Sequence, residues 1–252
     1  MKITPQTIEV LNNFANINPN LLLKNSNEIR TIDAHKSIVG VATIEEPWPE
    51  AADGKGIYDL KEFLSVYSLI DDPDTEFSDK HITIKNNRQR MTYYLAAPGI
   101  ANKSYPHSDF NKFVNGLPQT DLSFKLTADM INHIRKVAGT IDVDHFQFSN
   151  INNKSQIVIC DHGGSRQDSY TIDFPESSLK FVDDYEVTYK IKTLNMMVVD
   201  DYDVNIHVYT QENKGESWPV TEFTAANYPI KYVTMPDTGS GPMLWTPLDS
   251  DT

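Results

Sequence analysis

The sequence predicts an α+β protein built from two similar domains, each a curved antiparallel sheet with two short helices. Three observations lead there. Strand-like segments outnumber the short amphipathic ones along the chain. The order helix, strands, helix, strands occurs twice, each time over about half of the chain. At 252 residues the chain can hold two cores of ordinary size. A repeat this long argues for two domains rather than a solenoid, and two short helices suffice to cover one face of a sheet.

In chain order, residues 7–15 form the first helix-like segment. Ile8, Leu11, Phe14 and Ala15 share one face, Glu9, Asn12, Asn13 and Asn16 lie on the other, and Pro5 stands near the expected start. Residues 21–24, an Asn-Ser-Asn turn at 25–27 and residues 28–32 then read as a hairpin. The second helix-like segment covers residues 59–67. Leu60, Phe63, Leu64 and Tyr67 form its apolar stripe, and Lys61, Ser65 and Ser68 lie opposite. Asp59 is its expected N-cap, with Glu62 as the reciprocal half of a capping box. An acidic turn at residues 71–74 follows, and residues 83–85 pair with 90–95 as a closing hairpin.

The second half repeats the plan. Residues 127–138 form its first helix, with Thr127 as the cap and Gly139 as the stop. Met130, Ile131, Ile134, Val137 and Ala138 point inward there, leaving Asn132, Arg135 and Lys136 opposite. Residues 145–148, an Asn-rich turn at 150–154 and residues 156–159 read as a hairpin. Residues 190–197 form the second helix of this half, running into an acidic turn at 200–203. Residues 205–209 and 230–233 read as its closing hairpin. Residues 98–118 carry Gly and Pro without a sustained period and serve as the connector. The expected domains are therefore residues 1–110 and 111–237, followed by a flexible tail at 238–252.

Composition excludes several classes. Hydrophobic residues make up 39% and charged residues 23%, as in a soluble globular protein. No apolar run approaches the roughly 18 residues of a membrane span. Residues 1–5 lack the apolar stretch of a secretory signal, and Cys160 stands alone, so a reducing, cytoplasmic setting is expected. A net charge of −13 argues against tight, sequence-specific binding to DNA, because Coulomb repulsion opposes it. A weak, sliding contact through a local basic stripe remains compatible with that charge.

Sites for chemistry are scarce. No phosphate-cradling Gly-x-x-x-x-Gly-Lys-Ser/Thr loop occurs. Asp142, Asp144 and His145 have metal-capable side chains whose spacing matches no specific ligand set, so a solvated turn into a strand is expected. Cys160, Asp161 and His162 precede Gly163 and Gly164, which fits a strand end better than a nucleophile with its base. The two acidic turns lack a calcium-loop pattern and read as polar loops after helices. No acid–base pair stands out, so neither an enzyme, a cofactor nor a metal is expected.

Several segments carry a resemblance. The stretch Leu11-Asn12-Asn13-Phe14-Ala15-Asn16-Ile17-Asn18, with Leu23-Lys24 after it, resembles the first helix and first strand of the sliding clamps of T-even-like bacteriophages. Those clamps are the processivity factors of the phage DNA polymerases. Ile57-Tyr58-Asp59-Leu60, Phe63-Leu64 and Ser68-Leu69 are similar to the family's second helix. Gln156-Ile157-Val158-Ile159 and Ala226-Asn227-Tyr228 are similar to strands of its second domain. The resemblance is clear over residues 7–97, weaker but collinear to about 237, and absent from the last 15.

The resemblance implies two copies of the clamp fold per subunit and a homotrimeric ring around duplex DNA, working in the cytoplasm of an infected bacterial host. It implies the replicative DNA polymerase, an ATP-dependent clamp loader and late-transcription factors as partners, and no membrane. A ring resolves the charge problem, because a topological link makes strong phosphate binding unnecessary. Lys61, Arg135, Lys136, Lys190 and Lys192 are the expected DNA-facing residues, whereas the first helix contributes little, with Glu9 and Asn12 on its polar face. In the tail, Met243, Leu244, Trp245 and Leu248 follow a Gly-Ser-Gly linker; a disordered tail with one exposed tryptophan is the favoured reading, and a tethered apolar peptide that competes with partner peptides is the alternative. Two other classes fit the composition: an acidic interaction scaffold that forms no ring, and an acidic DNA mimic. The mimic fits less well, since the carboxylates concentrate in turns.

Overall fold

The computed structural model describes residues 1–97, 122–151, 154–161, 168–173, 185–211 and 216–237. It divides into two compact units, Met1–Pro106 with Tyr228–Tyr232, and His107–Asn227 with Val233–Thr252. The expected connector at 98–118 and the tail peptide at 243–248 lie outside the described residues. No helix among the described residues is long and apolar enough to cross a membrane.

In the first unit, helix α1 (Pro5–Ile17) starts where a proline costs no hydrogen bond. The Thr4 hydroxyl accepts from the Thr7 N–H at 3.3 Å. The Glu46 carboxylate accepts from the Thr4 N–H and, at 2.9 Å, from the Thr7 hydroxyl, placing a negative charge at the positive end of the helix. Val10, Leu11, Phe14 and Ile17 are buried, while Glu9, Asn12 and Asn16 are exposed. Helix α2 (Leu60–Ser68) follows the Asp59 N-cap, whose carboxylate accepts from the Glu62 N–H at 3.0 Å. The expected reciprocal bond is replaced. The Asp59 N–H reaches the Tyr93 hydroxyl at 3.4 Å, and that hydroxyl donates to the Asp59 carbonyl at 3.1 Å.

The strands of this unit correct one expectation. Strand β1 (Leu21–Leu22) pairs antiparallel with β4 (Gly56–Ile57), and β2 (Glu28–Ile32) pairs with β3 (Ile38–Thr43), so residues 21–32 are not a hairpin. Two local arrangements decide this. The backbone of 25–27 is engaged elsewhere: the Trp48 N–H donates to the Ser26 carbonyl at 3.1 Å and the Ile44 N–H to the Asn27 carbonyl at 2.7 Å. Meanwhile Asp33 gathers the N–H groups of His35, Ser37 and Ile38 at 3.1, 2.6 and 3.0 Å, closing a turn with Lys36 left-handed at φ 58°. On β3, Gly40 lets α1 approach closely. A Cβ there would meet Phe14 Cε1 at 3.0 Å and Ile17 Cδ1 at 3.2 Å. Strands β5 (Asp74–Phe77), β6 (His81–Lys85) and β7 (Arg90–Tyr94) form an antiparallel meander, including the expected closing hairpin.

In the second unit, β8 (Leu122–Leu126) leads into α3 (Ala128–Ile141). Strands β9 (His145–Ile151), β10 (Lys154–Cys160), β11 (Ser169–Asp173) and β12 (Tyr185–Lys190) form a sheet of order β11-β10-β9-β12, with β9 and β10 as the expected hairpin. After the short helix α4 (Ile191–Met196), β13 (Tyr202–Gln211) pairs with β14 (Glu216–Ala225) on one side and β8 on the other. Residues 205–209 therefore pair with 218–222 rather than forming a hairpin with 230–233, because β14 is the strand that follows β13 directly. The final strand, β15 (Ile230–Thr234), counts with the first unit through Tyr232 and with the second from Val233. An aromatic cluster fills the core of the second unit. Phe146 stacks on Tyr189 at 5.4 Å, and Phe148 meets Phe124 edge-on at 4.9 Å.

The architecture is the one expected in class, mixed α and β with antiparallel sheets and few short helices.

Candidate nucleic-acid interface

The basic residues that drew attention in the sequence sit on or beside α2, α3 and α4. In α3 the Thr127 hydroxyl accepts from the Met130 N–H at 3.2 Å, and the Asp201 carboxylate accepts from the Ala128 N–H at 2.8 Å. Asp201 belongs to the acidic turn after α4, so that turn holds the start of the neighbouring helix as well as linking elements. The helix ends later than Gly139. Asp142 adopts the left-handed conformation, and the N–H groups of Asp142 and Val143 both reach the Ala138 carbonyl. Ile131, Ile134 and Ala138 are buried, and Met130 and Val137 are half-buried. Asp129, Asn132, His133, Lys136 and Thr140 are exposed.

Helix α4 packs on α3. It buries Ile191, Thr193, Leu194 and Met196 and presents Lys192 and Asn195 to solvent. Its N-terminal N–H, on Ile191, donates to the Asp144 carbonyl at 2.7 Å. Asp200, buried at 4% exposure, accepts from the Asn227 N–H at 2.7 Å and its side-chain amide at 2.6 Å. The second acidic turn is thereby a structural tie.

Arg135 differs from the simple expectation of a solvated polar face. Its guanidinium folds over the end of α4, donating to the Leu194 carbonyl and, at 3.4 Å, to the Met197 carbonyl. The Leu194 carbonyl also accepts from the Met197 N–H at 3.0 Å, and both carbonyls lie at the negative end of α4, where a planar cation fits well. Burial lowers the Arg135 pKa from its usual value. Lys190 is exposed but paired, with its ammonium 3.2 Å from the Asp237 carboxylate. Lys61, Lys136 and Lys192 are exposed and form no ion pair among the described residues.

The helices of the two units differ in charge. On α1 and α2, Glu9 and Glu62 outweigh Lys61 among exposed side chains. On α3 and α4, Lys136 and Lys192 outweigh Asp129, with Arg135 behind them. A surface of this kind offers ammonium groups at low density, suited to loose, non-specific contact with phosphates rather than to reading bases.

No protein-family model matches the chain. The sliding clamp of Vibrio phage KVP40 is 26% identical over 211 residues, spanning 82% of this chain and 90% of that protein. The sliding clamp of Escherichia phage RB69 is 27% identical over 186 residues, spanning 73% of this chain and 75% of that protein. Among solved structures, PCNA of A. fulgidus with the C-terminal region of FEN-1 bound superposes with a TM-score of 0.60 at 11% identity. That match covers 93% of this chain and 96% of the other. The Helicobacter pylori beta clamp bound to a DNA ligase peptide gives a TM-score of 0.63 at 11% identity, covering 94% of this chain. The chain spans 65% of the length of that bacterial clamp. At such identities the structural matches establish the fold.

Proposed function

We propose that this chain, a homologue of the sliding clamps of T-even-like bacteriophages with the sliding-clamp fold, closes as a homotrimeric ring around duplex DNA and tethers the replicative polymerase. The observation that carries this reading is collinearity with the KVP40 clamp across 90% of that protein. Residues 1–110 and 111–237 are the two clamp domains of each subunit. Lys61, Lys136 and Lys192 line the DNA path, with Lys190 and Arg135 adding charge from paired positions. A ring of net charge −13 per subunit then stays on DNA by topology, and its sparse cations let it slide.

Subunit contact is proposed through the open strand edges. In the first unit β5 is covered, since the Thr75 N–H donates to the Met1 carbonyl at 2.8 Å, which leaves β7 as the open edge of its sheet among the described residues. In the second unit the Asp237 N–H donates to the Thr188 carbonyl on β12 at 2.7 Å, which leaves β11 as the open edge of its sheet among the described residues. Strand β7 bears exposed Met91 and Tyr94 beside Arg88 and Arg90, and β11 bears exposed Tyr170 between Asp168 and Asp173. The edges are unlike and opposite in charge, which suits a head-to-tail contact by main-chain pairing that closes into a ring.

The ring performs no chemical step. In this reading it is opened and closed by an ATP-dependent clamp loader and serves polymerase and late-transcription factors in the cytoplasm of the infected host. That the Helicobacter clamp takes a DNA ligase peptide supports docking of short partner peptides on this fold.

The test has two parts. Light scattering over a range of concentrations is expected to give a trimer. After incubation with a cognate loader and ATP, the protein is expected to co-elute with closed circular plasmid and to be lost when the plasmid is linearised. A monomer at all concentrations, or only even-numbered assemblies, overturns the ring and favours the acidic scaffold.

A further inference from the structure

The main chain fixes which groups the two open strand edges present. Beside β7, the Leu95 N–H donates to the Lys80 carbonyl at 2.8 Å and the Asn86 N–H to the Gln89 carbonyl at 3.0 Å. Bonded pairs alternate along an antiparallel ladder, so Met91 and Tyr93 bond to β6. The N–H and C=O groups of Arg90, Thr92 and Tyr94 therefore face outward. In the second unit the Thr188 carbonyl points away from β9, toward the Asp237 N–H, and the Ile191 N–H donates to the Asp144 carbonyl in the same phase. Carried through the registers of β12, β9 and β10, the alternation bonds Tyr170 and Ile172 to β10. The groups left facing outward on β11 belong to Ser169, Thr171 and Asp173.

On both edges the outward-bonding residues carry exposed side chains on the face away from the helices. Tyr93, between them on β7, meets Phe63 of α2 edge-on at 5.4 Å, and Tyr170 on β11 is hydrogen-bonded to His133 of α3 at 3.3 Å. For L-residues, strand direction and side-chain face together fix the side on which the N–H and C=O emerge. Two edges that share this relation form one continuous sheet, helices on one face, only when they run antiparallel.

We propose that β7 of one subunit pairs with β11 of the next in the register that sets Arg90 opposite Asp173, and that this charge pair selects the neighbour. The proposal rests on the ring inferred above and specifies its contact. Registers that keep bonding groups face to face differ by steps of two residues. The fully overlapped one also sets Thr92 opposite Thr171, Met91 opposite Ile172 and Tyr93 opposite Tyr170. Opposite-charge, hydroxyl, apolar and aromatic pairs of this kind are the ones that stabilise adjacent strands. A two-residue slip either way leaves two residues of each strand unpaired and parts Arg90 from Asp173. The Asp173 carboxylate is held ready, accepting from the Gln156 amide at 2.7 Å with Lys154 at 3.4 Å, and these partners keep its pKa below the usual carboxylate range. Joining β7 to β7 would bring cationic edges together, and joining β11 to β11 acidic ones, so charge disfavours both like-with-like contacts.

The experiment uses the full-length protein with Cys160→Ser. Met91 and Ile172 would form a non-hydrogen-bonded pair with Cα atoms about 4.5 Å apart, within disulfide reach. Met91→Cys with Ile172→Cys is expected to give covalent trimers under an added oxidant. Met91→Cys with Tyr170→Cys, a diagonal pair roughly 7–8 Å apart in this register, is expected to give none. Arg90→Glu and Asp173→Arg are each expected to raise the concentration at which the trimer half-dissociates by about tenfold, because the ring contains the contact three times. Together they are expected to restore most of the loss. The altered side chains are exposed or half-buried on strand edges, so the subunit should still fold. Crosslinking of position 91 to 170 in place of 172, single reversals without effect, or a double variant no tighter than the single ones overturns the register and the charge pair. Light scattering on the unmodified protein tests the ring by itself, so a trimer there with any of those results leaves the ring standing.

Discussion

Tyr189 shows how a single buried hydroxyl makes stability depend on pH. The ring is fully buried against Phe146, and its hydroxyl is hydrogen-bonded to that of Thr221. Burial raises its pKa far above the usual value for a phenol, more than the Thr221 bond lowers it. The unfolded chain ionises this group near pH 10, so its contribution to folding is complete below that pH. It declines as the pH climbs from there toward the folded-state value. Urea unfolding at rising alkaline pH is expected to show stability falling beyond about pH 10, and falling less in Tyr189→Phe. At neutral pH the same variant should lose about 1 kcal/mol with the Thr221 bond. Parallel pH curves for the two proteins would remove Tyr189 as the cause.

Among the elements, α3 and α4 separate exposed charge, proposed to meet DNA, from charge that serves the fold. Lys136 and Lys192 are exposed, whereas Arg135 closes the end of α4 through two carbonyls. Charge reversal of Lys136 and Lys192 together is expected to change stability by less than about 0.5 kcal/mol per site. It should reduce loading and processive synthesis and flatten the salt dependence of DNA association. Arg135→Gln, by contrast, should lower stability by about 1–2 kcal/mol, because it removes the charged hydrogen bonds to the Leu194 and Met197 carbonyls. Thermal melts beside a primer-extension assay distinguish the two, and equal destabilisation by both variants would refute the division.

The helices were legible because local chemistry wrote them. Asp59 and Thr127 bond the N–H groups expected of caps, and the apolar stripe of α2 is the buried face. On α1, Leu11, Phe14 and Ala15 are buried as expected, but Ile8 is half-buried and Asn13, expected on the polar side, is buried where it accepts from the Tyr232 hydroxyl. What escaped was tertiary. Nothing in residues 25–27 announces that Ile44 and Trp48 will take their carbonyls, and the Asp33 turn that makes the true hairpin lacks the usual glycine. Arg135 has the pattern position of a solvated residue, but a long stem lets its head reach a neighbouring helix. That His145 lies opposite Cys160 depends on strand register, which periodicity does not specify.

At the level of the whole molecule, the two units repeat a backbone plan without repeating a surface. Each has a helix pair and antiparallel strands, yet the exposed helix faces differ in sign. In the proposed ring, three of the helix pairs repel the duplex mildly and three attract it. Adding cations to the repelling set should slow movement along DNA. Glu9→Lys combined with Asn12→Lys, both exposed on α1, is expected to leave folding unchanged and to increase retention on circular plasmid at moderate salt. Retention identical to the unmodified protein would exclude α1 from the DNA path.

That contrast between a shared plan and unshared faces has a consequence for how such a chain can change. The residues that specify each unit point inward or cap helix ends, and those proposed to meet DNA point outward from the same turns. Glu9 lies next to buried Val10, and Lys136 lies two positions from buried Ile134 and two from buried Ala138. Interior and exterior are thus interleaved along the sequence but independent in space, like two messages printed on alternate lines. A lineage can rewrite one of them while the other is held constant, so relatives at 26% identity can keep the architecture and still drift in grip, speed and choice of companion proteins.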